Sequence, residues 1–146
     1  MRFEHQVVIA SPVSRVFSYM DDVSREREWQ PSVVEAHKDP PGETTVGTRK
    51  RYESEFMGRR IRNTYVTTHF EPDVRVSYES TPDSVLRAKV ELRFEPTDTG
   101  TKVTMAFNGK LTGPLRFIPQ RVLEGVYHKE MKTSLSLLKQ RLEAEG

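Results

Sequence analysis

The longest regular run of apolar positions lies in the last quarter of the chain, Pro119 to Glu145. Leu123, Tyr127, Met131, Leu135, Leu138 and Leu142 recur at steps of three and four residues. At about 100° per residue they form one stripe of a long α-helix. Lys129, Lys132, Lys139 and Arg141 fall mostly to its sides or back. Pro119 suits a first helical turn, where a missing N–H costs little, and no proline follows it. Only the C-terminal half of the stripe is purely apolar. Towards the N-terminus Gln120, Glu124 and His128 share its face, Glu124 within about 20° of Met131 and His128 within about 60°. A helix that only filled a core would carry Leu there, so its polar half is expected to look into a pocket.

Upstream the period changes to two. Phe3, His5, Val7 and Ile9 alternate along Arg2 to Ala10 and predict a first strand. Ser11-Pro12 reads as a cap followed by proline at the first helical position. Val13, Val16, Phe17 and Met20 then form the apolar face of a short helix ending at Asp21-Asp22. Ser24 can cap a second short helix, Arg25 to Trp29, which Pro31 stops. Such a pair suits the open end of a curved sheet. Val33 to His37 predicts a second strand, and Asp39-Pro40-Pro41-Gly42 a turn. Next, Tyr52, Ser54 and Phe56 alternate against Arg51, Glu53 and Glu55, and Ile61, Asn63 and Tyr65 against Arg62 and Thr64. A two-residue II′ turn at Gly58-Arg59 would pair Phe56 with Ile61, Ser54 with Asn63 and Tyr52 with Tyr65. Three further strands carry Val74, Val76 and Tyr78; Leu86, Ala88, Val90, Leu92 and Phe94; and Val103, Met105 and Phe107. Each strand has one apolar and one charged face, so the sheet must bury one side. The terminal helix supplies the cover. The expected class is α+β: a seven-stranded antiparallel sheet curved around a long C-terminal helix, with two short helices between strands 1 and 2.

That order carries a family resemblance. Ile9-Ala10-Ser11-Pro12-Val13 leads into Val16-Phe17, Trp29-Gln30-Pro31 follows the acidic Asp21-Asp22, and Gly113-Pro114-Leu115 stands just before the terminal helix. With these motifs the chain resembles, along its whole length, the START-like (SRPBCC) superfamily, the helix-grip fold, and within it the polyketide cyclase/dehydrase-like branch. The resemblance implies a cavity between the curved sheet and the terminal helix that takes lipids, sterols, polyketides or other apolar molecules. Some members are cyclases or aromatases, so the resemblance transfers a pocket more safely than an activity.

Composition narrows the classes. At 146 residues the chain is expected to be one START-like domain over 1–146. Charged residues make up 30% and apolar ones 35%, and there is no run long enough to span a bilayer. Neither a signal nor a transit peptide is visible ahead of the first strand. With no cysteine there is no disulfide framework, thiolate nucleophile or cysteine metal site, and a cytoplasmic location fits. A net charge of +2 is too mild to imply nucleic acid. Arg49, Lys50, Arg51, Arg59, Arg60 and Arg62 form the densest basic cluster, but Glu53 and Glu55 interleave with it, as on a solvated face with cross-strand ion pairs. His5, His37, His69 and His128 lack metal-site spacing, so no metal and no cofactor is implied. The sequence allows a homodimer without requiring one.

Two constellations carry candidate chemistry. Glu124 and His128 sit one turn apart, where a carboxylate can orient an imidazole for proton transfer at a ligand carbonyl. Equally, they can be an exposed pair near the helix start. On the strands, Tyr52, Ser54, Asn63, Tyr65 and Tyr78 fall on the inner face among Phe56, Val76, Val90 and Phe107. Apolar walls with a few placed polar groups describe a small-molecule site, although Tyr78 also fits a sheet margin. Trp29 reads first as an anchor of the helix pair and second as sharing in the cavity entrance, and Leu111 to Ile118 as either a cavity mouth or a tie to the helix. The expected ligand-binding set is Tyr52, Ser54, Asn63, Tyr65, Val90, Phe107, Tyr127 and Met131, with His128 and Glu124 as candidate catalytic groups. Three functions follow: a carrier for a small apolar, ring-containing molecule; a cyclase/dehydratase (aromatase) enzyme with His128 as base and a tyrosine or Asn63 steadying an enolate; or an interaction module using the basic strand face.

Overall fold

The computed structural model describes residues 1–146 apart from the side chain of Pro114. The elements run β1 (Arg2–Ile9), α1 (Val13–Asp21), a 3-10 turn (Val23–Arg25), α2 (Glu26–Trp29), β2 (Val33–Asp39), β3 (Arg49–Phe56) and β4 (Arg59–Glu71). They continue as β5 (Arg75–Ser80), β6 (Leu86–Thr97), β7 (Gly100–Leu111), a 3-10 turn (Gly113–Phe117) and α3 (Gln120–Glu145). The strands form one seven-stranded sheet in the order β1-β7-β6-β5-β4-β3-β2, every neighbouring pair antiparallel. Register shifts at Val33/Glu35 and Thr67/His69 mark bulges, which bend strands and strengthen their twist. Among the described residues no helix is long and apolar enough to cross a membrane.

Period two decides what each strand buries. On β6, Leu86, Ala88, Leu92 and Phe94 are buried while Arg87, Lys89 and Arg93 are exposed. The whole α3 stripe, Leu123 to Leu142, is buried against the sheet. The core it makes has two parts. Leu135, Leu138 and Leu142 pack with Ile9, Val16, Phe17, Met20, Phe94 and Val103 at one end. Leu123, Tyr127 and Met131 pack with Phe3, Phe56, Leu86, Phe107 and Leu115 at the other.

Three local expectations shift. Both prolines cap their helices from outside: Pro12 is the N-cap of α1 and Pro119 that of α3. The turn before α2 is capped by Asp22, whose carboxylate accepts from the Ser24 backbone N–H at 3.0 Å, and not by Ser24 itself. The β3–β4 turn is Met57-Gly58, with φ of 50° and 79°, one residue earlier than Gly58-Arg59. Two positive φ angles in a row suit the primed hairpin turn that matches strand twist. Phe56 therefore faces Arg59, Ser54 faces Ile61, Tyr52 faces Asn63 and Lys50 faces Tyr65. This slip is two residues, so Tyr52, Ser54, Phe56, Ile61, Asn63 and Tyr65 keep their expected face. Arg60 and Arg62 point to solvent and pair with Glu53 at 3.1 and 3.0 Å.

Candidate functional site

Between the two parts of the core a cavity of about 190 Å3 remains open. Its apolar wall comes from Phe56, Ile61, Leu86, Val90, Leu92, Met105 and Phe107 on the sheet and from Tyr127 and Met131 on α3. Met20 at the end of α1 and Trp29 on α2 close one side. Aromatic contacts stiffen the wall: the Tyr127 ring stacks on Phe56 and Phe107 with centroids 5.4 and 5.3 Å away, and Tyr52 meets Tyr65 edge-on at 5.9 Å. A wider trough on the outer sheet face runs past Arg2, Glu4, Glu79, Lys89, Glu91 and Arg93, a charged surface of mixed sign.

All eight expected ligand-binding residues, Tyr52, Ser54, Asn63, Tyr65, Val90, Phe107, Tyr127 and Met131, stand on the cavity wall. Their polar atoms are differently engaged. Asn63 is a stitch across the sheet: its Nδ2 donates to the Leu86 carbonyl at 2.8 Å and its Oδ1 accepts from the Leu86 N–H at 2.9 Å. β5 ends at Ser80, and the Asn63 amide takes over where the ladder stops. The same Nδ2 donates to the Tyr65 hydroxyl at 3.2 Å, which leaves that hydroxyl its own proton to give. Burial pushes Tyr65 up to about 12, and it also raises Tyr127, so both remain phenols at neutral pH.

Glu124 and His128 do not join them. His128 is exposed and lies against β1, its Nδ1 3.0 Å from His5 Nε2 and its ring edge-on to Phe3. Glu124 is half-buried and accepts from Gln120 Nε2 at 2.9 Å. Neither residue lines the cavity. On a helix of 3.6 residues per turn, an offset of about 60° from the centre of the stripe is enough to turn His128 out past the sheet edge. The acid on α3 that does reach the wall is Glu130, raised by burial.

The polar end of the cavity is built from residues that carried no such expectation. Lys50, expected with the basic cluster on the solvated face, instead has the parity of Tyr52 on β3, which takes it inside, where it is 2% exposed. Its ammonium donates to the Tyr78 hydroxyl at 3.0 Å and to Asp21 Oδ1 at 3.3 Å. Burial alone would lower Lys50, but Tyr78, Glu26 and Asp21 around it outweigh that and hold it above the ordinary lysine range. Asp21, at the end of α1, also accepts from Thr44 at 2.9 Å and pairs with Lys38 at 3.4 Å.

Glu26, the first residue of α2, is 3% exposed and lines the cavity beside Lys50. Its Oε1 accepts from the Tyr52 hydroxyl at 2.8 Å and from Gln30 Nε2 at 2.9 Å. Desolvation pushes its carboxyl up to about 7, against the opposing pull of Lys50 and of the Tyr52 hydrogen bond. Tyr52 is raised well above its ordinary value by burial and by the neighbouring Glu26. Such a pole can hold a neutral polar group or exchange a proton near neutral pH. Among the described residues no three His, Asp or Glu side chains converge as a metal site would need.

Comparison with known proteins agrees with this fold. The family described as polyketide cyclase / dehydrase and lipid transport matches residues 1–143. A solved protein of Thermus thermophilus superposes with a TM-score of 0.84 at 19% identity, over 100% of this chain and 99% of that one. A START superfamily protein from Mycobacterium smegmatis gives 0.81 at 12% identity, over 99% of each chain. The di-domain ARO/CYC StfQ of the steffimycin biosynthetic pathway gives 0.76 at 15% identity, over 99% of this chain and 51% of that one. At these identities the likeness is one of fold. No curated protein matches the chain in sequence.

Proposed function

The chain belongs to the polyketide cyclase / dehydrase and lipid transport family, and from its cavity we propose that it binds a small, apolar, ring-containing molecule between the curved sheet and α3, as one domain over residues 1–146. The observation that carries this reading is a space of about 190 Å3 in the middle of the core that the side chains leave between them. Protein interiors are packed to crystal density, and an apolar void forfeits the contacts its lining would otherwise make. A cavity of about 150 Å3 with apolar walls is enough to take up benzene. Here Tyr52, Ser54, Asn63, Tyr65, Val90, Phe107, Tyr127 and Met131 would form the binding wall, with most of the affinity coming from apolar surface at roughly 25 cal/mol per Å2.

An enzymatic reading built on Glu124 and His128 loses its support, because neither side chain lines the space a substrate would occupy. No observation favours a nucleic-acid surface either: Arg60 and Arg62 of the β3–β4 hairpin are engaged with Glu53.

Filling the space tests the reading. Val90 stands on the wall and is half-buried. Val90→Phe should occupy the room a ring would take, with a stability change of less than about 1.5 kcal/mol if the added ring enters the void without strain. Toluene binding, followed by calorimetry, should weaken by about tenfold or more, the equivalent of about 1.4 kcal/mol. Unchanged binding by a folded Val90→Phe protein would refute the site.

A further inference from the structure

Buried polar atoms in native proteins nearly always find a partner, so an exception calls for a physical reason. Among the described residues four such side-chain atoms have none: Ser11 Oγ, Glu26 Oε2, Trp29 Nε1 and Arg75 Nε. Ser11 and Arg75 are not part of the cavity wall. Glu26 and Trp29 are, and they stand three residues apart on α2, which puts them on one face of the same helical turn. One of these atoms lacks a donor and the other lacks an acceptor.

A hydroxyl is the simplest group that is both donor and acceptor. We propose that the α2 end of the cavity is a subsite for a ligand hydroxyl, which donates its proton to Glu26 Oε2 and accepts from the Trp29 indole N–H. This deepens the carrier reading and rests on it: the ligand class becomes a neutral, hydroxyl-bearing ring compound, a phenol or a ring alcohol. The surrounding charges select neutrality. The carboxylates of Asp21 and Glu26 face the ammonium groups of Lys38 and Lys50, with Asp21 contacting both lysines. A charged ligand head would add an uncompensated charge in a buried place. The rest of the molecule would lie against Met105, Phe107, Tyr127 and Met131. At about 190 Å3, somewhat more than the ~150 Å3 that holds benzene, there is room for a substituted ring or two fused rings.

A series of probes on one ring system tests this in the unaltered protein. Naphthalene offers neither bond, 2-methoxynaphthalene can accept from Trp29 but cannot donate to Glu26, and 2-naphthol can do both. Calorimetric titration at pH 8, where Glu26 is ionised, should rank them 2-naphthol, 2-methoxynaphthalene, naphthalene, with about tenfold or more between the first and the last. In Glu26→Met, 2-naphthol should fall to within about twofold of its methyl ether, since neither then has a carboxylate to donate to. If that variant does not fold, Trp29→Phe gives the second reading: 2-naphthol should lose about fivefold. Naphthalene binding as tightly as 2-naphthol would overturn the hydroxyl subsite and leave the carrier reading standing. Full retention of the preference of 2-naphthol over naphthalene in either folded variant would also overturn it. If none of the three probes binds, the subsite and the carrier reading fall together.

Discussion

Lys50→Met should cost the fold about 3 kcal/mol at pH 7, measured by urea unfolding. Lys50 is 2% exposed, and its ammonium is shared between Asp21 and the Tyr78 hydroxyl. Methionine keeps most of the volume, so the loss isolates the charge. Taking one partner from a buried ion pair is strongly destabilising, typically about 3–5 kcal/mol, because the other is left uncompensated. Here Asp21 keeps Lys38 and Thr44, which favours the lower end of that range. The variant should also push Glu26 further up, since the Lys50 ammonium is the main opponent of its desolvation. Its penalty should accordingly be smaller at pH 5, where Glu26 is protonated, than at pH 8. A change below about 1 kcal/mol at both pH values would mean that Lys50 is solvated and not part of a buried pole.

The second large effect belongs to Glu26 and to pH. Its carboxyl titrates at about 7 in the folded chain against an ordinary 4.5. Between these values the native state holds a proton that the unfolded state has released. Rising pH therefore favours unfolding across this window, and the loss is complete above about pH 7. A difference of about 2.5 pH units corresponds to roughly 3 kcal/mol. Glu26→Gln keeps an oxygen for the Tyr52 hydroxyl and removes the ionisation. It should flatten the decline between pH 4.5 and 7 and be more stable than the natural chain at pH 8, by up to roughly 3 kcal/mol. A pH profile of unfolding free energy that is the same with and without Glu26 would show that the carboxyl is not desolvated. A buried acid that costs stability is the kind of residue kept for a site.

How much of this is legible in the chain depends on the element. The α3 stripe and the β6 alternation need only periodicity, because a period of 3.6 or 2 fixes a face whatever the neighbours are. The β3–β4 hairpin reads with the correct faces and a wrong register, since turn geometry and facing are set by different residues. Met57 in a positive-φ position is the reason: nothing in a methionine announces it. Lys50 and Glu26 are hidden for other reasons. Parity alone puts Lys50 beside Tyr52, but a lysine is almost never fully buried without a partner, and its partner Asp21 is far away in sequence. Glu26 lies on a helix of four residues, too short for any periodicity to pick a face. His128 shows the converse: a position near the stripe's edge is decided by what packs there, here Phe3 and His5 of β1.

The most direct test of the cavity as a binding site uses the five methionines as reporters. Met20, Met105 and Met131 stand on its wall, whereas Met57 is half exposed at the hairpin tip and Met1 lies outside the lining. With 13C-methyl methionine and NMR, toluene should move the signals of Met20, Met105 and Met131 along saturating curves with one common dissociation constant, and leave Met57 in place. Wall signals that stay fixed, or five signals that drift together without saturation, would contradict a ligand site between the sheet and α3.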